Sequence, residues 1–266
     1  MDRIHLWEWE DQVWMPAVFR NFITDNLHFM AGFMGLFQPM TDKLYQAMQT
    51  CGETRILDLC SGGGGPVPAL AQRFQHQYGF TPQVTLTDLY PNEEAFARLE
   101  RDSGGAIRGE RRSISAFDVP AELPGFRTLF TGFHHFRPAQ AHRILADAVA
   151  KRRGIAVFEA QERRFPTVLL VPLAVFFTSL LFTPFAGRMS WRRFLFTYLI
   201  PICPLVYAWD GFVSCLRTYS PRELRRLVSD LETPDYRFEI GQLQAHGPFR
   251  FPYRITYLLG LPQRPA

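Results

Sequence analysis

Short apolar runs alternate with amphipathic stretches along most of this chain, which is the pattern of a parallel sheet covered by helices. The first apolar run ends in glycines, and apolar residues at helical spacing follow it from Pro66 to Gly79. The predicted strands are Ile56–Leu59, Gln83–Leu86, Ser113–Phe117, Arg127–Thr131, Gly154–Phe158, Tyr236–Leu243 and Arg254–Gly260. The first five alternate with helices, which predicts an α/β fold with a doubly wound parallel sheet that binds ligands at the carboxyl ends of its strands.

Two stretches depart from this alternation. The N-terminal residues carry aromatic and apolar side chains near helical spacing, interrupted at Pro16. Residues 165–187 contain no charged residue, and a second uncharged run extends over 194–209. We therefore predict four parts, which are N-terminal helices forming a lid or cap (1–48), a ligand-binding sheet core (49–160), an apolar helical insertion before the last strands (161–219), and a closing helix and strands (220–266).

The apolar insertion has three interpretations. It can cover a greasy substrate or a dimer face, it can lie in a membrane interface with its Arg and Trp residues at the headgroups, or it can cross the membrane as a hairpin. Residues 165–187 are long enough to cross a hydrocarbon core of ~30 Å as a helix. The second run is shorter and is broken by Pro201 and Pro204. All three interpretations place an apolar substrate or partner, or a membrane surface, beside this chain.

Composition narrows the classes of function. The chain has 266 residues, of which 47% are hydrophobic and 15% aromatic, and this argues against disorder. Its 29 Lys and Arg residues only slightly exceed its 25 Asp and Glu residues, and no compact basic run predicts a nucleic-acid partner. The four cysteines lack a CxxC spacing, so no metal site is predicted. The first residues are acidic where a signal peptide is apolar, so we expect a cytoplasmic location, either free or at the inner face of a membrane.

The run DLCSGGGGP, Asp58–Pro66, connects the first predicted strand to its helix. Glycines let the backbone turn sharply and bring main-chain amides close to a ligand, and amides at a helix start attract a negative group. The spacing is not that of a dinucleotide fingerprint, because the third glycine would fall at Val67. This disfavours an oxidoreductase that uses a nicotinamide cofactor. A phosphate-binding Walker loop is also excluded, since no Lys-Ser/Thr pair follows.

The loop resembles motif I of the class I S-adenosylmethionine (SAM) methyltransferases, an acidic residue followed by x-G-x-G-x-G. Here the motif extends from Asp58 to Gly64, with Cys60 in place of the first glycine. The resemblance covers residues 55–160 well and the remainder more loosely. It implies a Rossmann-like core with SAM as the cofactor, held at Asp58, Cys60, Gly62 and Gly64.

Acidic residues follow the next two predicted strands. Asp88 stands where a carboxylate accepts from both ribose hydroxyls, and the alternative is a helix cap before Pro91. The resemblance implies that Asp118 binds the adenine amino group and that Val119 packs against the ring. The remaining predicted cofactor contacts are Leu89 and Thr131.

A histidine pair, His134 and His135, follows the fourth predicted strand. This block resembles the family's passage from an LHH sequence to a strand that ends in a glutamate, here Glu159. An imidazole with a pKa near ~6.5 can take a proton from a hydroxyl, so both histidines are candidate catalytic bases. The alternative is a structural role, with one ring bonded to a loop carbonyl. Thr131 and Gly132 replace the family's aspartate at the end of this strand, which argues against a metal or an acidic base there.

Taken together, the residues and the resemblance predict a SAM-dependent methyltransferase that acts on an apolar small-molecule or lipid-like acceptor, at oxygen or carbon. The predicted acceptor contacts are Trp14, Phe19, Glu159 and Asp210. For the two aromatic residues the alternative is packing against the sheet, and for Asp210 it is the return of the chain to water. The rival function is a non-catalytic methyltransferase-fold protein that serves as a membrane-associated binding or scaffold module.

Overall fold

A computed structural model describes residues 1–12, 14–36, 38–247, 250 and 252–263. They form two compact units, each built from two chain segments. The helical unit comprises Met1–Gly35 and Gln161–Tyr219, and the sheet unit comprises Leu36–Ala160 and Ser220–Ala266. The four-part functional division drawn from the sequence stays a prediction.

The sheet unit contains a seven-stranded sheet in the order β3-β2-β1-β4-β5-β7-β6. Strands β1 to β5 are parallel, and β7 runs antiparallel to both β5 and β6. The strands are β1 Arg55–Asp58, β2 Gln83–Leu86, β3 Ile107–Gly109, β4 Phe126–Phe130, β5 Ile155–Glu159, β6 Tyr236–His246 and β7 Pro252–Pro262. The predicted α/β fold class is confirmed.

The helices of this unit are α2 Gln38–Cys51, α3 Val67–Tyr78, α4 Glu93–Asp102, α5 Pro138–Ala150 and α9 Pro221–Leu227. Strand β5 is buried along its whole length, and its first four residues are apolar, as in a strand covered on both faces. Helix α3 ends at Gly79, whose φ of 62° is the left-handed cap that glycine adopts without strain. Helix α9 begins at the capping box of Ser220 and Glu223. Local signals of this kind set the helix ends, and they place the glycine loop between β1 and α3.

The predicted third strand is wrong. The strand that pairs with β2 is β3, three residues long, in which Ile107 lies opposite Val84. Residues 113–117 form a loop instead, in which the Ile114 amide donates to the Asp88 carbonyl over 2.9 Å. Ile114 and Ala116 are both buried, so their alternation with two serines imitates the period of a strand without a neighbouring strand to pair with.

The helical unit contains α1 Ala17–Phe33, α6 Phe165–Phe182, α7 Trp191–Phe194, a π-helical turn over Leu195–Leu199, and α8 Ile202–Arg217. Phe22 and Ile23 of α1 pack with Cys203 and Tyr207 of α8 in its core. Arg217 is buried, and its guanidinium donates to Asp11 over 2.7 Å and to the Leu6 carbonyl over 2.6 Å. The N-terminal segment is thereby bound to the end of α8.

Helix α6 is apolar on all sides. Its 18 residues have a mean hydropathy of 2.2, and only 11% of them are buried. Among the described residues, α6 is the single helix that is long and apolar enough to cross a membrane. The bent pair Trp191–Leu199 and Ile202–Arg217 would add a second span if the two helices, which meet at 71°, are counted as one. The three interpretations of the insertion stay predictions.

Candidate cofactor and active site

The glycine loop leaves β1 at Asp58 and turns through several left-handed residues. Gly62, Gly64 and Gly65 have φ values of 52°, 99° and 44°. Cys60 has φ 55°, a conformation that costs a residue with a Cβ about 1–2 kcal/mol. This explains why the family motif has glycine at the position that Cys60 occupies.

Asp88 connects β2 to the glycine loop. Its Oδ2 accepts from the Gly62 amide over 2.9 Å, and its Oδ1 accepts from the Tyr90 amide over 2.9 Å. Asn92 caps α4, because its side-chain oxygen accepts from the Ala95 amide over 3.1 Å. The helix cap that was the alternative role for Asp88 is therefore Asn92. Leu89 beside it is 46% exposed, which is unusual for a leucine next to a buried strand.

The Asp58 carboxyl is buried at the end of β1. Its Oδ1 accepts from the Thr128 hydroxyl over 2.6 Å. Burial, and to a smaller extent the charge of Asp88, raises the pKa of Asp58 to about 7. Sequence reasoning missed Thr128; the signal for it was a polar residue within β4. The result is a carboxyl group whose ionised form is disfavoured until a positive charge comes near it.

Asp118 and Val119 lie elsewhere than predicted. The Asp118 carboxylate is exposed and lies 2.6 Å from the Lys151 ammonium group, just past the end of α5. Val119 is fully buried, and its amide donates to Asp147 over 3.2 Å. Because β5 begins soon after Lys151, this is the amino-terminal edge of the sheet, opposite the glycine loop. The premise that Asp118 directly follows a strand is wrong.

Thr131 and the histidine pair follow β4 at the carboxyl edge. Thr131 has a left-handed φ of 48°, and its amide donates to the Phe158 carbonyl over 2.7 Å. The sharp turn at Thr131 brings the chain into a short 3₁₀ helix, Phe133–His135. Backbone strain at a site like this one marks a position that the surrounding structure fixes.

His134 and Glu159 form a buried pair at this edge. Both side chains are at most 3% exposed, and His134 Nδ1 lies 2.8 Å from Glu159 Oε2. The His134 amide also donates to Glu159 Oε1 over 2.9 Å. The half-buried His135 ring lies with its centroid 4.3 Å from that of His134. The structure thus joins two predicted residues, the histidine after β4 and the glutamate that ends β5.

The other predicted acceptor contacts belong to the helical unit. Trp14 is 67% exposed and lies edge-to-face with Trp9, and Phe19 packs in the same way on Phe196. Asp210 is buried, and its two oxygens accept from the Trp9 and Glu10 amides over 2.8 and 3.0 Å.

Burial raises the pKa of Asp210 to about 7. Because it accepts from the Trp9 and Glu10 amides, the Asp210 carboxyl group holds the N-terminal turn in place. Its contact with an acceptor stays a prediction.

The class of fold follows from this arrangement, because the strand order and the glycine loop after β1 are those of the class I SAM-dependent methyltransferases. One solved structure, the plantazolicin methyltransferase BpumL in complex with SAH, superposes over 96% of this chain and 94% of its own, with 14% identity and a TM-score of 0.58. No protein-family model matches the chain, and no curated protein does.

Two further solved structures are similar at a lower level. One is human N-acetylserotonin methyltransferase (ASMT) in complex with SAM, with 16% identity and a TM-score of 0.48. The match covers 91% of this chain and 57% of that protein. Magnesium protoporphyrin IX methyltransferase (ChlM) from Synechocystis PCC 6803 with bound SAH matches over 87% of both chains, at 13% identity and a TM-score of 0.43.

Proposed function

We propose that this chain is a SAM-dependent methyltransferase whose acceptor is an apolar small molecule or a lipid-like molecule, methylated at oxygen or carbon. The observation that carries the proposal is the bond between the Gly62 amide and Asp88 at the sheet edge that also holds the pair His134–Glu159. The SAH bound to the structurally similar plantazolicin enzyme supports the choice of cofactor.

The loop residues fit the parts of SAM. A Cβ at Gly62 would meet nothing within 4 Å, so a ligand can approach the main chain there. The Asp88 carboxylate, already held by two amides, is assigned to the ribose hydroxyls. The buried Asp58 carboxyl is assigned to the cationic amino group, because a positive charge favours its ionised form. Contacts of Cys60, Gly64, Leu89 and Thr131 with the cofactor stay predictions.

SAM, when bound, supplies a methyl group on a positively charged sulfur, open to in-line displacement by a nucleophile. The chain must then hold the acceptor and remove its proton. The Glu159 carboxylate accepts from Nδ1–H of His134, and this leaves Nε2 as the basic nitrogen. In this role Nε2 would take the proton of an acceptor hydroxyl, and the Glu159 carboxylate would stabilise the resulting imidazolium.

The proposed location is the cytoplasm, with the helical unit attached to the inner face of a membrane. The exposed apolar surface of α6 supports this attachment, since water-exposed patches of this kind mark interaction sites. An acceptor drawn from the bilayer would be apolar, in agreement with the proposed substrate class. The contacts of Trp14, Phe19 and Asp210 with the acceptor stay predictions.

Calorimetric titration with SAM in mild detergent tests the proposal. Asp88→Ala removes the ribose partner and should weaken binding by roughly 10–100-fold, since each charge-assisted hydrogen bond contributes about 1.5–3 kcal/mol. Asp118→Ala is the matched control, because its carboxylate faces Lys151, and it should bind SAM as the wild type does.

The outcomes separate the competing hypotheses. Loss of binding in Asp118→Ala would restore the adenine role that the sequence predicted for this residue. Equal affinity in wild type and Asp88→Ala would remove the ribose assignment. If the wild type binds no SAM, the rival function, a non-catalytic binding or scaffold module, replaces the proposed enzyme.

A further inference from the structure

A basic cavity of about 260 Å³ lies within the helical unit, between α1 and the segment that joins α6 to α7. Its polar lining consists of Asn21, Asp25, Arg188, Ser190, Arg192 and Arg193. Three arginines thus face one aspartate. None of these residues belongs to the glycine loop or the histidine pair, so the cavity is separate from the proposed cofactor site.

The charges in this basic cavity are not balanced. Arg193 is buried, and its Nη1 lies 2.6 Å from Asp25 Oδ2, so this pair satisfies itself. Arg188 and Arg192 are exposed, and no carboxylate of the described residues lies within 4 Å of either guanidinium. The Nε of Arg193 is also buried without a hydrogen-bond partner among the residues described. The cavity therefore retains positive charge, and the exposed guanidinium groups of Arg188 and Arg192 are donors that an anion can reach.

The walls of the cavity are held in place before any ligand binds. The Ser190 hydroxyl accepts from the Arg193 amide over 3.2 Å, and Arg193 Nη2 donates to the Ala186 carbonyl over 3.3 Å. Gly187 has φ 141°, and a Cβ there would lie 2.5 Å from Asp25 Oδ2. Only glycine lets the backbone pass the ion pair at this distance.

An apolar face continues from the cavity along the sequence. We define it by six side chains that are each more than half exposed: Leu170, Phe177, Leu181, Phe185, Trp191 and Leu199. Phe185 and Trp191 stand on either side of the segment that carries Arg188 and Ser190. Aromatic residues beside arginines are typical of chains at the headgroup level of a membrane, with apolar side chains extending below.

We propose that the basic cavity binds the phosphate of an anionic phospholipid while the apolar face lies among the acyl chains of the same leaflet. Planar guanidinium groups match phosphate oxygens in a fork, and the hydroxyl of Ser190 and the amide of Asn21 can donate as well. This inference rests on the membrane attachment within the proposed function. It adds that an anionic phospholipid headgroup determines which membrane surface the chain binds.

Vesicle flotation with the purified full chain, after detergent removal, tests the inference. Vesicles of phosphatidylcholine alone are compared with vesicles that contain a quarter phosphatidylglycerol. Arg188→Gln with Arg192→Gln should weaken binding to the anionic vesicles roughly 30-fold, since each arginine near an anionic surface contributes about fivefold in affinity. The matched control is Arg225→Gln with Arg226→Gln, which removes the same charge from exposed positions on α9 and should bind as the wild type does.

Three results would overturn the inference. One is equal binding of wild type and the Arg188/Arg192 variant to anionic vesicles, and another is equal wild-type binding to neutral and anionic vesicles. A third is calorimetric binding of inorganic phosphate without any binding to vesicles, which would make the cavity a site for a free anion. SAM titration of the same preparations keeps these results apart from a failure of the methyltransferase proposal, because the variants leave the glycine loop intact.

Discussion

Single buried carboxyl groups determine how this protein responds to pH. Asp58 is buried, and its pKa is raised to about 7 by that burial. A raised carboxyl pKa means that the folded state holds the proton more tightly than the unfolded chain. The stability this contributes is complete below the unfolded pKa of about 4 and is lost as the pH rises through about 7.

Asp58→Asn should therefore change how the free energy of unfolding depends on pH. Relative to the variant, the wild type should lose stability between pH 5 and pH 8, which urea unfolding followed by circular dichroism can measure. Asp118→Asn is the control, because the Lys151 ammonium group lowers the pKa of Asp118 and its titration lies below this range. Parallel curves for wild type and Asp58→Asn would contradict the raised pKa.

The pair His134–Glu159 makes a second prediction at this scale. His134→Gln removes the base, and Glu159→Gln presents an amide N–H to Nδ1 and so favours the tautomer with Nε2 protonated. Each should lower turnover at least ~100-fold with SAM affinity nearly unchanged. His135→Gln is the comparison, since its ring lies beside the pair, and should keep most activity. A pH–rate profile separates the roles, and full activity in His134→Gln would exclude it as the base.

Residues whose role depends on neighbours in the sequence could be predicted. Residues whose role depends on how the strands pair in the sheet could not. The glycines and Asp88 follow strands with clear local patterns, so their positions could be read from the sequence. The sequence could not show at which edge of the sheet Asp118 lies, because that edge depends on which residues form β3. The hydrogen bond of Thr128 with Asp58 joins two strands and has no local signal beyond a polar residue within β4.

At the scale of elements, β1 and β4 are neighbouring strands, and part of the site follows each of them. Gly125 stands just before β4 with φ 134°, and a Cβ there would lie 3.0 Å from the Leu57 amide nitrogen. The atoms in its way are backbone, so they cannot move aside as the end of a side chain can. The approach of these two strands thus depends on the absence of a side chain at one position.

Gly125→Ala should destabilise the protein by about 3 kcal/mol, because it adds a collision with β1 to a conformation that only glycine adopts readily. Gly104→Ala is the matched control. It also has a positive φ, 59°, but its Cβ would meet nothing within 4 Å, so it should cost only about 1 kcal/mol. Chemical unfolding of both variants measures the difference, and equal losses would show that β1 yields to the added methyl group.

Strand length decided which elements could be predicted. β5, β6 and β7 are long or continuously apolar, and their patterns gave their positions correctly. β3 has three residues, fewer than a period-two pattern needs, and the loop at residues 113–117 gave a stronger but misleading signal. The insertion was recognisable by its lack of charge, and the break predicted at Pro201 coincides with the bend of 71° between Trp191–Leu199 and Ile202–Arg217.

At the scale of the whole molecule, each unit is built from two segments that are far apart in the sequence. Trp209 Nε1 donates to the Trp7 carbonyl over 3.1 Å, and the Ile4 amide donates to the Leu216 carbonyl over 3.2 Å. These bonds join the first residues to a helix far along the chain. No periodicity within either segment indicates this union, because the intervening segment 36–160 separates them in the sequence.

The composition of the helical unit from Met1–Gly35 and Gln161–Tyr219 has a consequence for biosynthesis. The N-terminal segment leaves the ribosome early, but its partner helices are complete only roughly 180 residues later, which at about 5–20 residues per second is a wait of ~10–40 s. Throughout this interval Trp7 lacks its native contact with Trp209. A chaperone, or a membrane surface near the ribosome, would shield the apolar side chains of the first segment while translation proceeds.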